Sequence, residues 1–192
     1  GAKIGESELS VRIFDELIDC LEIKRGDRLW LSSEIIKLIL LCKKAGETFD
    51  ASTLLECFQT AVGEEGTLLL PTFNFEFSNS GRYDYTHSKG TAGVLGNAAL
   101  QRSDFIRTKH PMHSFAVWGK DQEKLCMMEN KHSFGPDSPF AYCKDNNVKQ
   151  IMLGTDYVHA MTFVHYAETM YGVPYRFTKN FTGVYVKRDG IE

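Results

Sequence analysis

The chain has 192 residues, 43% of them apolar and 24% charged, and a formal net charge of −3. This length and composition suit one soluble globular domain, and the charge excludes a global positive field that would attract nucleic acid. No apolar run is long enough to span a membrane, and no basic segment followed by an apolar core opens the chain, so we expect no signal peptide and a cytoplasmic location. The five scattered cysteines form no C-x-x-C pair, which favours reduced thiols over a disulfide framework or a zinc site.

Helical periodicity begins near the start of the chain. Ser7 or Ser10 can cap a first helix, and Gly26 lies beyond its end. The apolar stripe of this helix consists of Val11, Phe14, Ile18 and Leu21.

The next sixty residues alternate between helices and short apolar runs. Residues 28–33 predict a buried strand that ends in a polar turn, and residues 35–44 predict a helix. Asp50 or Ser52 caps a third helix, and residues 66–71 predict a second buried strand.

Residues 74–92 show no clear period, because aromatic residues alternate with Asn, Ser, Gly and Asp. An irregular stretch this long inside a compact domain is usually functional or mobile. Two interpretations stay open, a surface loop held down by its aromatic side chains and a substrate-binding loop.

The second half of the chain continues the alternation. The predicted elements are helices over 93–102, 120–128 and 138–143, strands over 114–118 and 148–153, a helix around His165 that ends near Gly172, and one or two closing strands within 175–187. Interleaved strands and helices predict an α/β fold, a single domain with a mixed sheet flanked by helices on both faces.

The sharpest chemical signal lies inside the helix around His165. His165 and Glu168 stand three residues apart, which makes them neighbours on a helix surface. Glu168 can hold one imidazole nitrogen while the other nitrogen faces a substrate, as in a general base with its orienting group. Thr162 lies one turn earlier. A solvated surface pair is the competing interpretation.

Other chemistries find less support. His110 and His113 have H-x-x-H spacing, but Pro111 disfavours a helix there and no second ligand pair is present, so we expect no metal. The chain lacks a G-x-S-x-G elbow and a Walker A sequence. The glycines of residues 90–96 lack the Rossmann spacing and favour a tight entry turn over an anion site.

Four ordered motifs give the chain a resemblance to the aminoglycoside 3-N-acetyltransferase family, a coenzyme A-dependent group distinct from the GCN5-related acetyltransferases. The likeness covers roughly residues 15–180. The motifs are Gly66 to Phe73, Arg107 to Pro111 with Ser114, Phe115 and Gly119, Gly135 with Ser138 and Pro139, and Leu153-Gly154 leading to Thr162, His165, Ala167 and Glu168.

The resemblance implies direct transfer of an acetyl group from acetyl-CoA to an amine of an aminoglycoside or amino sugar, without an acyl-enzyme and without a metal. His165 is then the general base, Glu168 orients it, and a donor at or near Thr72 stabilises the oxyanion. By the same resemblance the cofactor contacts are Ser32, Ser33, Arg107, His110 and Ser114, with Arg107 and Lys109 meeting phosphates. The expected substrate contacts are Asn74 and Thr162.

Two departures from the family pattern keep alternatives open. Residues 31–34 lack the histidine that family members usually carry, and the following helix lacks their glycines. Family members are also usually longer, so residues 1–192 are expected to form a single acetyltransferase-like domain that lacks the C-terminal part. The alternatives are an inactive coenzyme A-binding homologue, a hydrolase that uses His165, and an enzyme of surface-polysaccharide biosynthesis rather than antibiotic resistance. A homodimer also stays open.

Overall fold

A computed structural model describes residues 6–91 and 93–191, with side chains described from residue 13 onward. The caps expected at Ser7 or Ser10, and the contact expected of Val11, therefore lie outside the described side chains. Among the described residues, no helix has the length and apolar character needed to cross a membrane.

Nine helices and seven strands are present in the described part of the chain. In chain order the helices are α1 (Glu6–Cys20), α2 (Ile36–Lys44), α3 (Ala51–Val62), α4 (Phe77–Ser80), α5 (Val94–Ala99), α6 (Gln122–Met127), α7 (Pro139–Asp145), α8 (Tyr157–Ala160) and α9 (Phe163–Tyr171). The strands are β1 (Arg28–Ser33), β2 (Thr67–Pro71), β3 (Arg82–Asp84), β4 (Ile106–Arg107), β5 (Phe115–Gly119), β6 (Lys149–Leu153) and β7 (Val184–Val186).

Five of the strands form one mixed sheet in the order β4-β5-β2-β1-β6. The strand β1 is parallel to both β2 and β6, whereas β5 is antiparallel to β2 and β4. Strands inside such a sheet are covered on both faces, which explains why β1 and β2 read as continuous apolar runs. The predicted mixed sheet is confirmed.

Helices cover both faces of this sheet, because neighbouring strand residues point to opposite sides. Leu29 and Leu31 of β1 join a core cluster with residues of α1, α2, α3 and α5. Trp30 belongs to a second cluster with Phe115, Phe140 and residues of α6, α7 and α9. The α/β class with helices on both faces is therefore confirmed, and the two clusters divide the core between the faces.

Local capping fixes two helix starts that the sequence predicts. Asp50, rather than Ser52, caps α3, and its carboxylate accepts a hydrogen bond of 2.7 Å from the backbone N–H of Thr53. Ser138 caps α7 by accepting from the N–H of Ala141 at 3.3 Å. The second cap sets the direction of α7, which packs against α9.

The stretch 74–92 differs from the expected irregular loop. Within it lie α4 and β3, and β3 pairs in parallel with β7 one hundred residues later. Tyr83 of β3 is fully buried, so aromatic side chains do hold this stretch down. Only one closing strand, β7, forms within 175–187. A three-residue strand that depends on so distant a partner leaves no local period in the sequence.

Gly119 at the end of β5 provides a test of how closely β5 packs against the start of β2. It has φ +102°, and an added Cβ would overlap the backbone oxygen of Gly66. Gly46 is a matched control, because it has φ +80° and nothing within 4 Å of an added Cβ. We expect G46A to lower the free energy of unfolding by about 1 kcal/mol through backbone strain alone. G119A should lower it by roughly 3 kcal/mol or more, and equal losses in urea denaturation would contradict this packing.

Candidate active site

The predicted His–Glu pair is present on α9. His165 Nδ1 lies 3.2 Å from Glu168 Oε2, one helical turn along. The ionised carboxylate only accepts, so Nδ1 carries the proton and Nε2 keeps its lone pair. The side chain of His165 is 45% exposed, which leaves the ring open to an incoming molecule.

Glu168 also binds two residues that follow the helix and that the sequence did not single out. Arg176 Nε donates to Oε2 at 2.9 Å, and the Tyr175 hydroxyl donates to Oε1 at 3.2 Å. The hydrogen bonds from His165 and Arg176 lower the pKa of Glu168. The helix ends at Gly172, whose left-handed backbone turns the chain back toward Glu168. That glycine is the one sequence signal that places Tyr175 and Arg176 here.

Phe134 forms the apolar wall behind the pair. Its ring meets His165 edge to face with 5.5 Å between centroids, and the Arg176 guanidinium lies 5.5 Å from its centroid. Phe134 also packs against His113 and Phe140, with 4.9 Å between ring centroids in each pair. The motif 134–140 therefore contributes packing beside His165 rather than polar groups.

His110 and His113 form a buried pair joined by Ser133. His110 Nδ1 accepts from the backbone N–H groups of Met112 and His113 at 3.2 and 3.1 Å, so its proton must sit on Nε2. Ser133 Oγ lies 3.4 Å from this Nε2 and 3.0 Å from His113 Nδ1. Burial lowers the pKa of His110 to about 4 and that of His113 to about 3. Both rings are neutral at working pH.

Arg107, Ser114 and Thr72 come together, but they face the interior. Arg107 donates to Ser114 Oγ at 3.0 Å, to the Thr72 carbonyl at 2.9 Å and to the Ser88 carbonyl, and its guanidinium lies 5.2 Å from the Tyr83 ring centroid. The Thr72 hydroxyl pairs with Ser114 Oγ at 2.9 Å. All three residues are at most 3% exposed. Arg107 therefore has its donors engaged within the protein, and the expected phosphate contact does not fit this geometry.

Thr72 likewise offers no open donor for an oxyanion. Its backbone N–H donates to the Ser114 carbonyl at 2.9 Å, and its hydroxyl is the one paired with Ser114. Sequence order indicates correctly that Thr72 follows a buried strand. It does not indicate that Ser114, just before β5, would hydrogen-bond both the N–H and the hydroxyl of Thr72.

The remaining predicted contacts lie at strand and helix ends. Ser32 is buried and its hydroxyl accepts from Gln150 Nε2 at 3.1 Å, while Ser33 is half-buried. Asn74 is buried, with its side chain bonded to the Lys89 carbonyl at 3.0 Å. Thr162 is half-buried at the start of α9, and its carbonyl accepts from the N–H of His165 at 3.1 Å.

A cleft of about 1850 Å³ borders the site at His110, His113, Glu168 and Arg176. Its cationic lining residues are Lys109, Lys131, Arg176, Lys179, Lys187 and Arg188. Its carboxylates are Glu123, Glu129, Glu168 and Asp189. Six cations against four carboxylates give the cleft a positive excess, which suits a phosphorylated ligand. No group of three or more His, Cys, Asp or Glu is arranged as a metal-ligand set in the part of the chain that is described.

The buried histidines should make the fold sensitive to acid. Their pKa values in the folded protein lie below the unfolded value of 6.5, so the unfolded chain binds more protons below that pH. The stabilisation is complete above pH 6.5 and is lost as the pH falls toward 4 and then 3, by about 3 kcal/mol or more. H113F should flatten this decline in urea midpoints measured from pH 7.5 to 4.5. H159Q at an exposed histidine is the control, and equal slopes for the two variants would contradict the burial of His113.

Comparisons with known proteins agree with this architecture. The SPbeta prophage-derived aminoglycoside N(3')-acetyltransferase-like protein YokD of Bacillus subtilis (strain 168) is 27% identical over 154 residues, which are 66% of this chain and 54% of YokD. The chain thus spans about half the length of this curated relative. The structure of AAC-IIIb with CoASH has a TM-score of 0.78 at 18% identity, over 94% of this chain and 72% of that one.

A histidine-to-alanine variant of AAC(3)-IVa in complex with apramycin has a TM-score of 0.69 at 25% identity, over 83% of this chain and 63% of that one. The family model for aminoglycoside 3-N-acetyltransferase matches residues 44–192. Because that match takes in well over half of the sequence, the chain belongs to the aminoglycoside 3-N-acetyltransferase family.

Proposed function

We propose that this protein transfers an acetyl group from acetyl-CoA directly to an amine of an aminoglycoside or amino sugar, with His165 as the general base. The observation that carries the proposal is the 3.2 Å contact between His165 Nδ1 and Glu168, beside a ring that remains open, in a member of this family. An ion pair on an exposed helix face is common. This pair lies against Phe134, and its carboxylate is also held by Arg176.

The chemistry requires a base at this position. A sugar amine is mostly protonated at neutral pH and has no free lone pair until a proton is removed. The ammonium form first loses one proton to solvent, which frees the lone pair. With Nδ1 bound to Glu168, His165 Nε2 then takes a second proton from the nitrogen as that nitrogen attacks the thioester carbonyl. The N–C bond forms, the C–S bond breaks, and the proton leaves on the coenzyme A thiol. Glu168 stabilises the imidazolium that exists between these events.

Acetyl-CoA is the proposed acetyl donor, and the cleft supports it. AAC-IIIb, of similar fold, was crystallised with CoASH. The positive lining of the cleft here suits the phosphates, and Lys109 is the candidate contact nearest His110 in the chain. Ser32 and Ser33 at the end of β1 are proposed to meet the pantetheine arm. Acetyl-CoA itself supplies the thioester that the acceptor amine attacks.

The acceptor is proposed to be an aminoglycoside or a smaller amino sugar. The AAC(3)-IVa variant binds apramycin, which supports the first class. Phe75 and Tyr85, from residues 74–91, are each partly exposed, and aromatic faces of this kind stack on sugar rings of either class. Thr162, beside His165 on the half-buried start of α9, stays the proposed substrate contact.

One assay separates these possibilities. Release of free coenzyme A is measured from acetyl-CoA alone, with apramycin and other aminoglycosides, and with simple amino sugars. Release that depends on an acceptor supports the transferase and identifies the acceptor class. Release without an acceptor would replace it with a hydrolase. Acetyl-CoA binding in a thermal shift without any release would indicate an inactive binding homologue.

His165 is tested against a matched histidine of the same chain. His159 pairs with Asp156 at 2.7 Å with the same three-residue spacing, but its side chain is 75% exposed. We expect H165A to lower kcat by roughly 10²- to 10⁴-fold, because a general base contributes a factor of this order. H159A should retain wild-type kcat. Both variants should bind acetyl-CoA normally, and full turnover by H165A would remove the base assignment.

A further inference from the structure

We infer that Arg176 is a positioning residue of this site, which locks the Glu168 carboxylate so that His165 presents one fixed nitrogen to the acceptor amine. This role rests on the proposed function, because it concerns how His165 is held. It also has a signature that does not depend on turnover, namely the tautomer of His165.

The hydrogen bonds converge on a single oxygen. Glu168 Oε2 accepts from His165 Nδ1 at 3.2 Å and from Arg176 Nε at 2.9 Å, while Oε1 accepts from Tyr175 at 3.2 Å. The terminal torsion of a glutamate is soft, so one contact from His165 leaves the carboxylate free to rotate. A second donor on the same oxygen removes that freedom.

Packing closes these contacts into a ring. The Arg176 guanidinium lies 5.5 Å from the Phe134 centroid, and Phe134 meets the His165 ring at 5.5 Å. Arg176, Glu168, His165 and Phe134 thus each contact two of the others. Like His165, Arg176 contacts both the carboxylate and the Phe134 ring, so its loss removes two of the four contacts of this ring.

The backbone keeps Arg176 in place. The N–H groups of Gly172 and Val173 donate to the Glu168 carbonyl at 3.1 and 3.3 Å, and the N–H of Arg176 donates to the Val173 carbonyl at 3.3 Å. The turn that delivers Arg176 is therefore fastened to the residue that its side chain holds. Arg176 and Glu168 are both about three-quarters shielded from solvent, which limits competition from water.

Charge balance gives Arg176 a second effect. Among the described contacts around His165, the charged partners are Glu168, which is hydrogen-bonded to the ring, and Arg176, which binds the same carboxylate oxygen. Partial desolvation and Glu168 raise the pKa of Tyr175, and burial lowers the pKa of His113 to about 3, so these two groups are neutral at working pH. Arg176 offsets the Glu168 charge. Without it, the negative charge of the carboxylate beside the His165 ring is left uncompensated.

Steady-state kinetics over a range of pH test this role with three variants. R176M should lower kcat roughly 10- to 100-fold. This loss is smaller than the loss of about 10⁴-fold that follows when a catalytic histidine is held in the wrong tautomer. Its acid limb of kcat/KM should move to higher pH, with KM for acetyl-CoA nearly unchanged. R176K keeps the charge, so its acid limb should stay in place and kcat should recover in part. R102M, which breaks ion pairs to Glu56 and Asp104 elsewhere, should keep wild-type kinetics.

Nitrogen NMR of the His165 ring reads the tautomer without turnover, with H165Q used to assign its signals. We expect the Nδ1–H form in the wild type and a growing Nε2–H fraction in R176M. If no acceptor is ever acetylated but this shift occurs, the proposed function falls and the positioning role stands. If R176M keeps wild-type kinetics or the wild-type tautomer, Arg176 does not position His165.

Discussion

The interior arrangement of this protein depends on one buried guanidinium. Arg107 is 3% exposed, and its partners are neutral: two carbonyl groups, the Ser114 hydroxyl and the Tyr83 ring. Removing a permanent charge from water is expensive unless its donors are satisfied, so these partners must all be in place together. Thr72 at the end of β2 and Ser88 in the following stretch are thereby fixed to β4. Phe73 follows Thr72 directly, and its ring centroid lies 5.1 Å from the centroid of the His113 ring.

The sequence is informative wherever a structure depends on near neighbours. Asp50 and Ser138 cap helices by bonding an N–H three residues on, and β1 has the bounds that its apolar run predicts. The His165–Glu168 pair is of the same kind, because helix geometry alone brings the two side chains together.

Long-range pairing leaves no comparable signal. Motif order groups Arg107, Ser114 and Thr72 correctly, but it does not tell which of them face a ligand and which face one another. The β3–β7 pair joins residues 82–84 to 184–186, and neither strand is long enough to show alternation. The sequence does not identify Arg176 as a site residue for the same reason. Its side chain reaches Glu168 only because the chain turns back at the left-handed Gly172.

The three histidines near the site differ in how deeply they are buried: His110 and His113 are buried, whereas His165 is partly exposed. His110 and His113 have pKa values of about 4 and about 3, so neither carries a charge at neutral pH. A proton taken from an amine therefore meets no cationic imidazole next to His165, and the apolar wall of Phe134 separates the rings. The same burial that weakens the fold in acid leaves His165 as the one of these three histidines proposed to accept a proton.

The contacts that prepare His165 are gathered in a short part of the chain. Glu168, Arg176, Tyr175 and Phe134 all lie within residues 134–176, and α9 takes its position from α7. The proposed stacking contacts for the acceptor, Phe75 and Tyr85, come instead from residues 74–91. Because neither residue belongs to the group that holds His165, we expect substitutions at Phe75 or Tyr85 to change which amine binds while the hydrogen bonds of His165 are preserved.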